Sequence, residues 1–267
     1  MPVKIILKEN QASGNFNEGE ILEKKPIGFP QDGGAQRPYS NLFYWAHAFT
    51  SNKKSTIGLH PHRGFEICSF ILKGKLKHFD TLLNKWILLD EGDVQVIKAG
   101  KGISHSEELY SNTEIFQIWF DPNIQNSLYE EPSYKDYKSS EFKSIDLKDK
   151  VTKVISDENN SLNLETEGIR VYSHQINPGI FSFNILDGCY HSYFIIKGGI
   201  SYSSSIYNKG TFFIVDNIKE FNFEVDDKTE IFEIISPLEP TYKTYAQTHS
   251  VNSVSYTHLT LPTIYSV

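Results

Sequence analysis

Residues Gly58 to Gly74 read GLHPHRGFEICSFILKG, and Gly92 to Glu107 read GDVQVIKAGKGISHSE. Each stretch sets two potential metal ligands two residues apart: His60 and His62 in the first, His105 and Glu107 in the second. Successive side chains of a strand point to opposite faces, so residues i and i+2 share one. Two neighbouring strands carrying these pairs aim three imidazoles and a carboxylate at one point. Imidazole plus carboxylate is the donor set of mononuclear centres that handle oxygen and keep positions open for water or substrate. The spacing therefore predicts a metal site of three histidines and one glutamate on an antiparallel β scaffold.

Three further residues near these stretches compete for roles. Glu66 lies at even spacing from His60 and His62, so an unbroken strand puts it on their face. It is a fourth-ligand candidate, a partner for an imidazole N–H, or an ion-pair partner for Arg63. The imidazole partner is preferred, because Glu107 already supplies a carboxylate. Cys68 has the same parity, but a thiolate ligand favours zinc and suits oxygen chemistry poorly. His78, in Lys77-His78-Phe79-Asp80, either lines the pocket or stands half in solvent. His47, His174 and His191 have no partner at ligand spacing and read as structural.

Working outward, short apolar runs separated by turn residues dominate the chain. Val3 to Leu7, Tyr44 to Phe49, Glu66 to Leu72, Leu76 to Asp80, Trp86 to Leu89, Val94 to Lys98 and Ile115 to Phe120 are strand candidates. Between them lie turns such as Lys73-Gly74-Lys75 and Asp90-Glu91-Gly92-Asp93. Strands at this regular spacing indicate an antiparallel sandwich or barrel. The rest of residues 1–40 is polar and Gly-rich and predicts no further strand.

The chain also repeats itself. Ser69-Phe70-Ile71-Leu72-Lys73-Gly74-Lys75-Leu76 aligns with Tyr193-Phe194-Ile195-Ile196-Lys197-Gly198-Gly199-Ile200, and Glu91-Gly92-Asp93-Val94 is echoed by Lys209-Gly210-Thr211-Phe212. A two-copy β architecture follows. The second copy carries Asn184 and Leu186 where the first has His60 and His62, so it is expected to be metal-free. The expected boundaries are a metal-binding N-terminal domain over 1–125, a connecting segment over 126–166, a degenerate C-terminal domain over 167–245 and a tail over 246–267. From about Ser253 the tail, SVSYTHLTLPTIYSV, continues no pattern of the sheet before it and resembles translated sequencing adapter, so it and His258 are read as not native.

Composition agrees with strands: 15 Tyr, 18 Phe and 3 Trp against a single Met, aromatics being favoured on pleated surfaces. The 267 residues suffice for two modest domains. A net charge of −7 without a basic run argues against direct nucleic-acid contact. Cys68 and Cys189, each in an apolar run, form no disulfide framework. The N-terminal apolar run is too short for a signal core, and none later approaches a membrane span. A cytoplasmic location is expected.

HPHRGFE, then an apolar strand and Gly, then GDVQVIKAGKGISHSE, then FQIWFDP together resemble the pirin family of bicupins, closely over about Tyr39 to Tyr137 and loosely beyond. The resemblance implies two antiparallel, jelly-roll-like β-barrels. It also implies iron held by His60, His62, His105 and Glu107. The spacing of His60, His62 and Glu66 fits the first cupin motif; the second motif departs, with Lys98 in place of the usual Pro. Several pirins are described as quercetin 2,3-dioxygenases. The implied reaction is ring opening of a flavonol by O2 at one divalent metal, with Glu107 as catalytic base and Fe(II) the first choice over Mn, Ni, Co, Cu or Zn. A small phenolic substrate is then the partner. The alternatives are a cupin enzyme acting on another small molecule and a non-catalytic, metal-responsive regulator that binds a protein partner.

Overall fold

The computed structural model describes residues 2–29 and 31–249; the stretch from Ser253 that reads as not native lies outside them. The chain is almost entirely antiparallel β. Its strands are β1 (Val3–Ile6), β2 (Ala12–Phe16), β3 (Ile21–Ile27), β4 (Leu42–Thr50), β5 (Ser55–His62), β6 (Glu66–Lys73), β7 (Lys75–Asp80), β8 (Trp86–Asp90), β9 (Val94–Lys98), β10 (Ile103–Leu109), β11 (Glu114–Phe120) and β12 (Ser133–Tyr137). They continue with β13 (Lys143–Leu147), β14 (Lys150–Ser156), β15 (Arg170–Ile176), β16 (Gly179–Asn184), β17 (Cys189–Lys197), β18 (Gly199–Tyr202), β19 (Ser205–Asn208), β20 (Phe212–Val215), β21 (Glu220–Val225) and β22 (Thr229–Pro237). Among the described residues there are also two short α-helices, α1 (Ile124–Ser127) and α2 (Tyr245–His249), and three single-turn 3-10 helices at Lys8–Asn10, Asn17–Gly19 and Ser139–Glu141. None is long and apolar enough to cross a membrane.

Two compact units result. Of the described residues, one unit comprises those within Ala12–Ser139 together with 241–249, and the other comprises 2–11 and Ser140–Pro240. Each has the same plan: a seven-stranded and a four-stranded sheet. In the first the orders are β12-β9-β6-β11-β4-β3-β2 and β5-β10-β7-β8; in the second, β1-β20-β17-β22-β15-β14-β13 and β16-β21-β18-β19. The fold is the expected cupin jelly roll, built as two open pairing ladders per unit.

Residues 126–166, expected as a connector, instead supply strands. β12 adds to β9 in the first unit, while β13 and β14 pair with each other in the second. The termini are exchanged as well: β1 pairs with β20, and the C-terminal segment fastens to the first unit. There Tyr242 Oη donates to the Asp121 carbonyl at 2.6 Å and the Tyr245 N–H to Asp121 Oδ2 at 2.5 Å. The polar stretch before residue 40 also contains β2 and β3.

Local chemistry explains the strands. In β21 the order EFNFEV alternates exposed and buried at every residue, the signature of a strand with one wet face. β6, EICSFILK, is buried along its first six residues because it lies inside the seven-stranded sheet between β9 and β11. The repeat is visible bond by bond. Gly92 N–H donates to the Ile71 carbonyl and Gly210 N–H to that of Ile195, both at 2.8 Å. The Ile71 and Ile195 N–H groups reach Asp93 and Thr211 carbonyls, both at 3.1 Å. Gly74 and Gly198, at φ +80° and +74°, make the equivalent turns, a region that glycine adopts at least cost.

The cores differ. The second unit is filled by Phe183, Tyr193, Phe213, Phe221 and Phe223 with aliphatic neighbours. In the first, Phe29, Phe43, Tyr44, Phe65 and Trp119 pack in one cluster, and the Trp119 ring stands edge-on to His62 at 4.8 Å between centroids. That contact leads into the site.

Candidate metal centre

The four-stranded sheet of the first unit sets the inward-facing residues in register. On β10, His105 lies opposite His60 of β5 and Asp80 of β7, and Glu107 lies opposite His78 of β7. Ile103, two residues before His105, is opposite His62. A bulge interrupts the β5–β10 ladder, so that Glu107 faces Ile57 rather than the residue two before His60. Such bulges re-aim side chains. Here it leaves His60 Nδ1 2.8 Å from the Gly58 carbonyl. A carbonyl only accepts, so Nδ1 carries the proton and Nε2 keeps its lone pair.

Three Nε2 atoms converge. His105 Nε2 stands 2.8 Å from His62 Nε2 and 2.9 Å from His60 Nε2. An imidazole nitrogen offers one lone pair or one N–H in the ring plane, so His105 Nε2 cannot pair properly with both neighbours. One cation among the three resolves the conflict: nitrogens about 2.0–2.1 Å from an ion, at right angles, lie about 2.9 Å apart. Burial lowers the pKa of His62 and His105 well below the usual value and that of His60 as well, their mutual proximity adding to the effect for His62 and His105. Neutral imidazole is the form that binds metal. His105 and His62 are buried while His60 is half-buried, so the cluster opens to the outside at His60.

Glu107 follows His105 by two residues on β10, opposite His78 of β7. His60, His62 and His105 hold their ligand atoms within 4.8 Å of one another, and His78, His105 and Glu107 form a second such group. The four donors expected from the sequence thus occupy two overlapping triads that share His105. Glu107 is fully buried, and burial pushes its carboxyl up to about 7 against the stabilising bonds it accepts. Those come from Ser69 Oγ to Oε1 at 3.0 Å and from Gln117 Nε2 to Oε2 at 2.6 Å. Trp119 Nε1 donates to Gln117 Oε1 at 3.2 Å, which fixes the amide so that its NH2 faces Glu107. A carboxylate has about four lone-pair sites, so each Glu107 oxygen retains one.

His78 is buried rather than half in solvent, and its Nε2 stands 2.9 Å from Asp80 Oδ2. Glu66 does not share a strand with His60 and His62. The chain turns at Arg63 and Gly64, the latter at φ +78°, so Glu66 begins a strand of the other sheet and the parity with His60 and His62 is broken. It belongs to neither triad; its carboxylate lies 4.0 Å from Lys98 Nζ, directly across the sheet. Cys68 is a fully buried thiol between Val96 and Ile118. Sequence reading missed Ser69, Asp80 and Gln117. The signal was there for Gln117 and Ser69, isolated polar residues in the otherwise apolar strands FQIWF and SFIL.

Among the described residues the second unit contains no comparable ligand group. His174 and His191 instead flank one buried carboxylate: His174 Nε2 lies 2.8 Å from Glu233 Oε2 and His191 Nδ1 2.7 Å from Glu233 Oε1. His47 contacts Glu114 at 3.1 Å. His174 and His191 thus share Glu233, and His47 is paired with Glu114.

Residues 32–120 match the pirin family model. A quercetin 2,3-dioxygenase of Escherichia coli K12 is 41% identical over 68 residues, which is 24% of this chain and 29% of that protein. Human pirin is 30% identical over 150 residues, 55% of this chain and 49% of its own length. Curated relatives matched at 34–50% identity are spanned over only 28–34% of their length. A crystal structure of a bacterial pirin from Escherichia coli in complex with nickel(II) superposes with a TM-score of 0.71 at 17% identity, covering 88% of this chain and 99% of that one.

Proposed function

We propose that this chain, which carries a pirin-family domain over residues 32–120, is a metal-dependent dioxygenase that opens the ring of quercetin-like flavonols. In this reading His60, His62, His105 and Glu107 hold one divalent ion, iron by preference. The observation that carries the reading is the convergence of three Nε2 atoms on a point that no hydrogen-bonding scheme satisfies. Nitrogen and carboxylate donors without a thiolate suit iron, manganese and nickel alike, and the relative named as a quercetin 2,3-dioxygenase supports the substrate class.

When bound, the ion supplies positive charge that lowers the pKa of a substrate hydroxyl beside it. The chain's residues do the rest. His60, half-buried at the opening, and its Gly58 contact present one donor to the incoming ligand. Trp119 stands against His62 and keeps water from that flank. Glu107, steadied by Ser69 and Gln117, accepts the flavonol 3-hydroxyl proton on a remaining lone pair, as a general base must. The anion then reacts with O2; both oxygen atoms end in the opened ester, and one ring carbon leaves as carbon monoxide.

The test is anaerobic loading with Fe(II), then quercetin, then O2. Bleaching of the flavonol absorbance with release of carbon monoxide is the expected result, and His62→Ala abolishes it. No turnover with iron, manganese, nickel, cobalt or copper would reject the reaction; turnover surviving His62→Ala would reject the site.

A further inference from the structure

Among the described residues of the first unit, the ring Nδ1 atoms of His62, His78 and His105 are buried without a hydrogen-bond partner, and those of His78 and His105 lie on side chains with no solvent exposure. Their chemistry is complementary. Asp80 Oδ1 accepts the N–H groups of Leu82 and Leu83 at 2.8 and 2.7 Å, which locks the carboxylate in place. Its Oδ2 faces His78 Nε2 at 2.9 Å, so Nε2 carries the His78 proton and Nδ1 is a bare lone pair. Tyr134 stacks on the His78 ring at 5.0 Å and 16°, fixing its plane. On His105, Nε2 is taken up by the two β5 histidines, which leaves Nδ1 as the remaining polar atom of the ring, and a ring nitrogen of His78 lies within 4.8 Å of one of His105. With Nε2 given to a metal, Nδ1 must carry the proton and needs an acceptor. The His78 and His105 rings stand 5.4 Å apart between centroids, and their strands are hydrogen-bonded neighbours.

Building on the metal site proposed above, we infer that His78 and Asp80 are positioning residues. Metal binding at His105 closes a chain in which His105 Nδ1–H donates to His78 Nδ1 and His78 Nε2–H donates to Asp80. The chain fixes the His105 tautomer and ring orientation, raises the basicity of its Nε2, and removes both orphaned atoms at once. Metal-ligating histidines commonly rest on a carboxylate or carbonyl through their second nitrogen; here an imidazole stands between.

Two substitutions separate this role from simple packing. Glutamine at residue 78 keeps a polar group near the Nε2 position, in reach of Asp80, but none at Nδ1. Asparagine keeps an acceptor near Nδ1. Titration with Co(II) alone, followed by its visible absorbance, reads the metal site without turnover. His78→Gln is expected to weaken Co(II) binding by about 10–100-fold and His78→Asn to stay within about threefold of the wild type. Wild-type affinity in His78→Gln, or an equal loss in both variants, overturns the inference while leaving the metal site standing. Failure of the wild-type protein to bind Co(II) overturns both. Should either variant not fold, the histidine 15N spectrum of the Zn(II)-loaded wild type decides: His105 protonated at Nδ1 and His78 at Nε2 is expected, and His78 protonated at Nδ1 refutes the chain.

Discussion

Gln117 has no ligand chemistry, yet both ends of its amide are committed, one to Trp119 and one to Glu107. Gln117→Leu keeps the volume and removes the donor on Glu107 Oε2. Loss of such an outer contact commonly costs about 10–100-fold in metal affinity, and isothermal titration with Fe(II) or Co(II) should show a loss of that size for this variant. An unchanged affinity would mean that Ser69 alone holds the carboxylate. At this scale the sequence was informative where chemistry is carried by residue type. His60 with His62, and His105 with Glu107, stood out because each pair sets two metal-ligating side chains on one face of a strand. Glu66 misled because parity holds only along an unbroken strand, and the turn at Gly64 ends it. Asp80 could not be read, because its contact with His78 gains meaning only once β7 is paired with β10 beside His105.

At the scale of elements, the two turns that follow β6 and β17 are under the same constraint. A Cβ at Gly74 would meet Thr113 Oγ1 at 2.6 Å, and one at Gly198 would collide with Thr229 Oγ1. Both glycines have positive φ, so Gly74→Ala and Gly198→Ala each combine backbone strain of about 1–3 kcal/mol with a displaced threonine. Chemical denaturation should show a loss of at least that size in either variant. A neutral effect would mean the turn rearranges freely.

Strands β15, β17 and β22 are joined by the Glu233 cluster. Its two histidines hold the carboxyl down to about 2 against an ordinary 4.5, even though burial alone would raise it. A depressed folded-state pKa stabilises above the unfolded value and the benefit is lost as pH falls through the folded one. The contribution, about 3 kcal/mol from a shift of this size, is therefore complete above pH 4.5 and fades towards pH 2. Thermal melts of Glu233→Gln and wild type should differ most near neutrality and converge below pH 3; a constant difference would assign the effect to packing.

At the scale of the whole molecule, the sequence repeat conveyed the architecture because both copies keep the residues that turns and central strands demand, and these are local. The unit boundaries were harder to read. That β1 belongs with β20, and that residues 241–249 return to the first unit, are matters of long-range pairing that leave no composition change in the chain. β2 and β3 were overlooked because ASGNF and ILEKKPI lack an apolar run of strand length. The uneven distribution of ligands has a consequence for the intact chain. It should bind one divalent ion, with His174→Ala or His191→Ala in the second unit leaving that stoichiometry at one and His105→Ala in the first reducing it to zero. Elemental analysis of metal-loaded, desalted protein distinguishes these outcomes. The most direct measurement is an anomalous-difference map from a crystal of Fe(II)- or Co(II)-loaded protein. A single peak is expected among the Nε2 atoms of His60, His62 and His105, about 2.0–2.2 Å from each, with a Glu107 oxygen turned to it. A loaded crystal with no peak there, or with its peak in the second unit, would contradict that expectation.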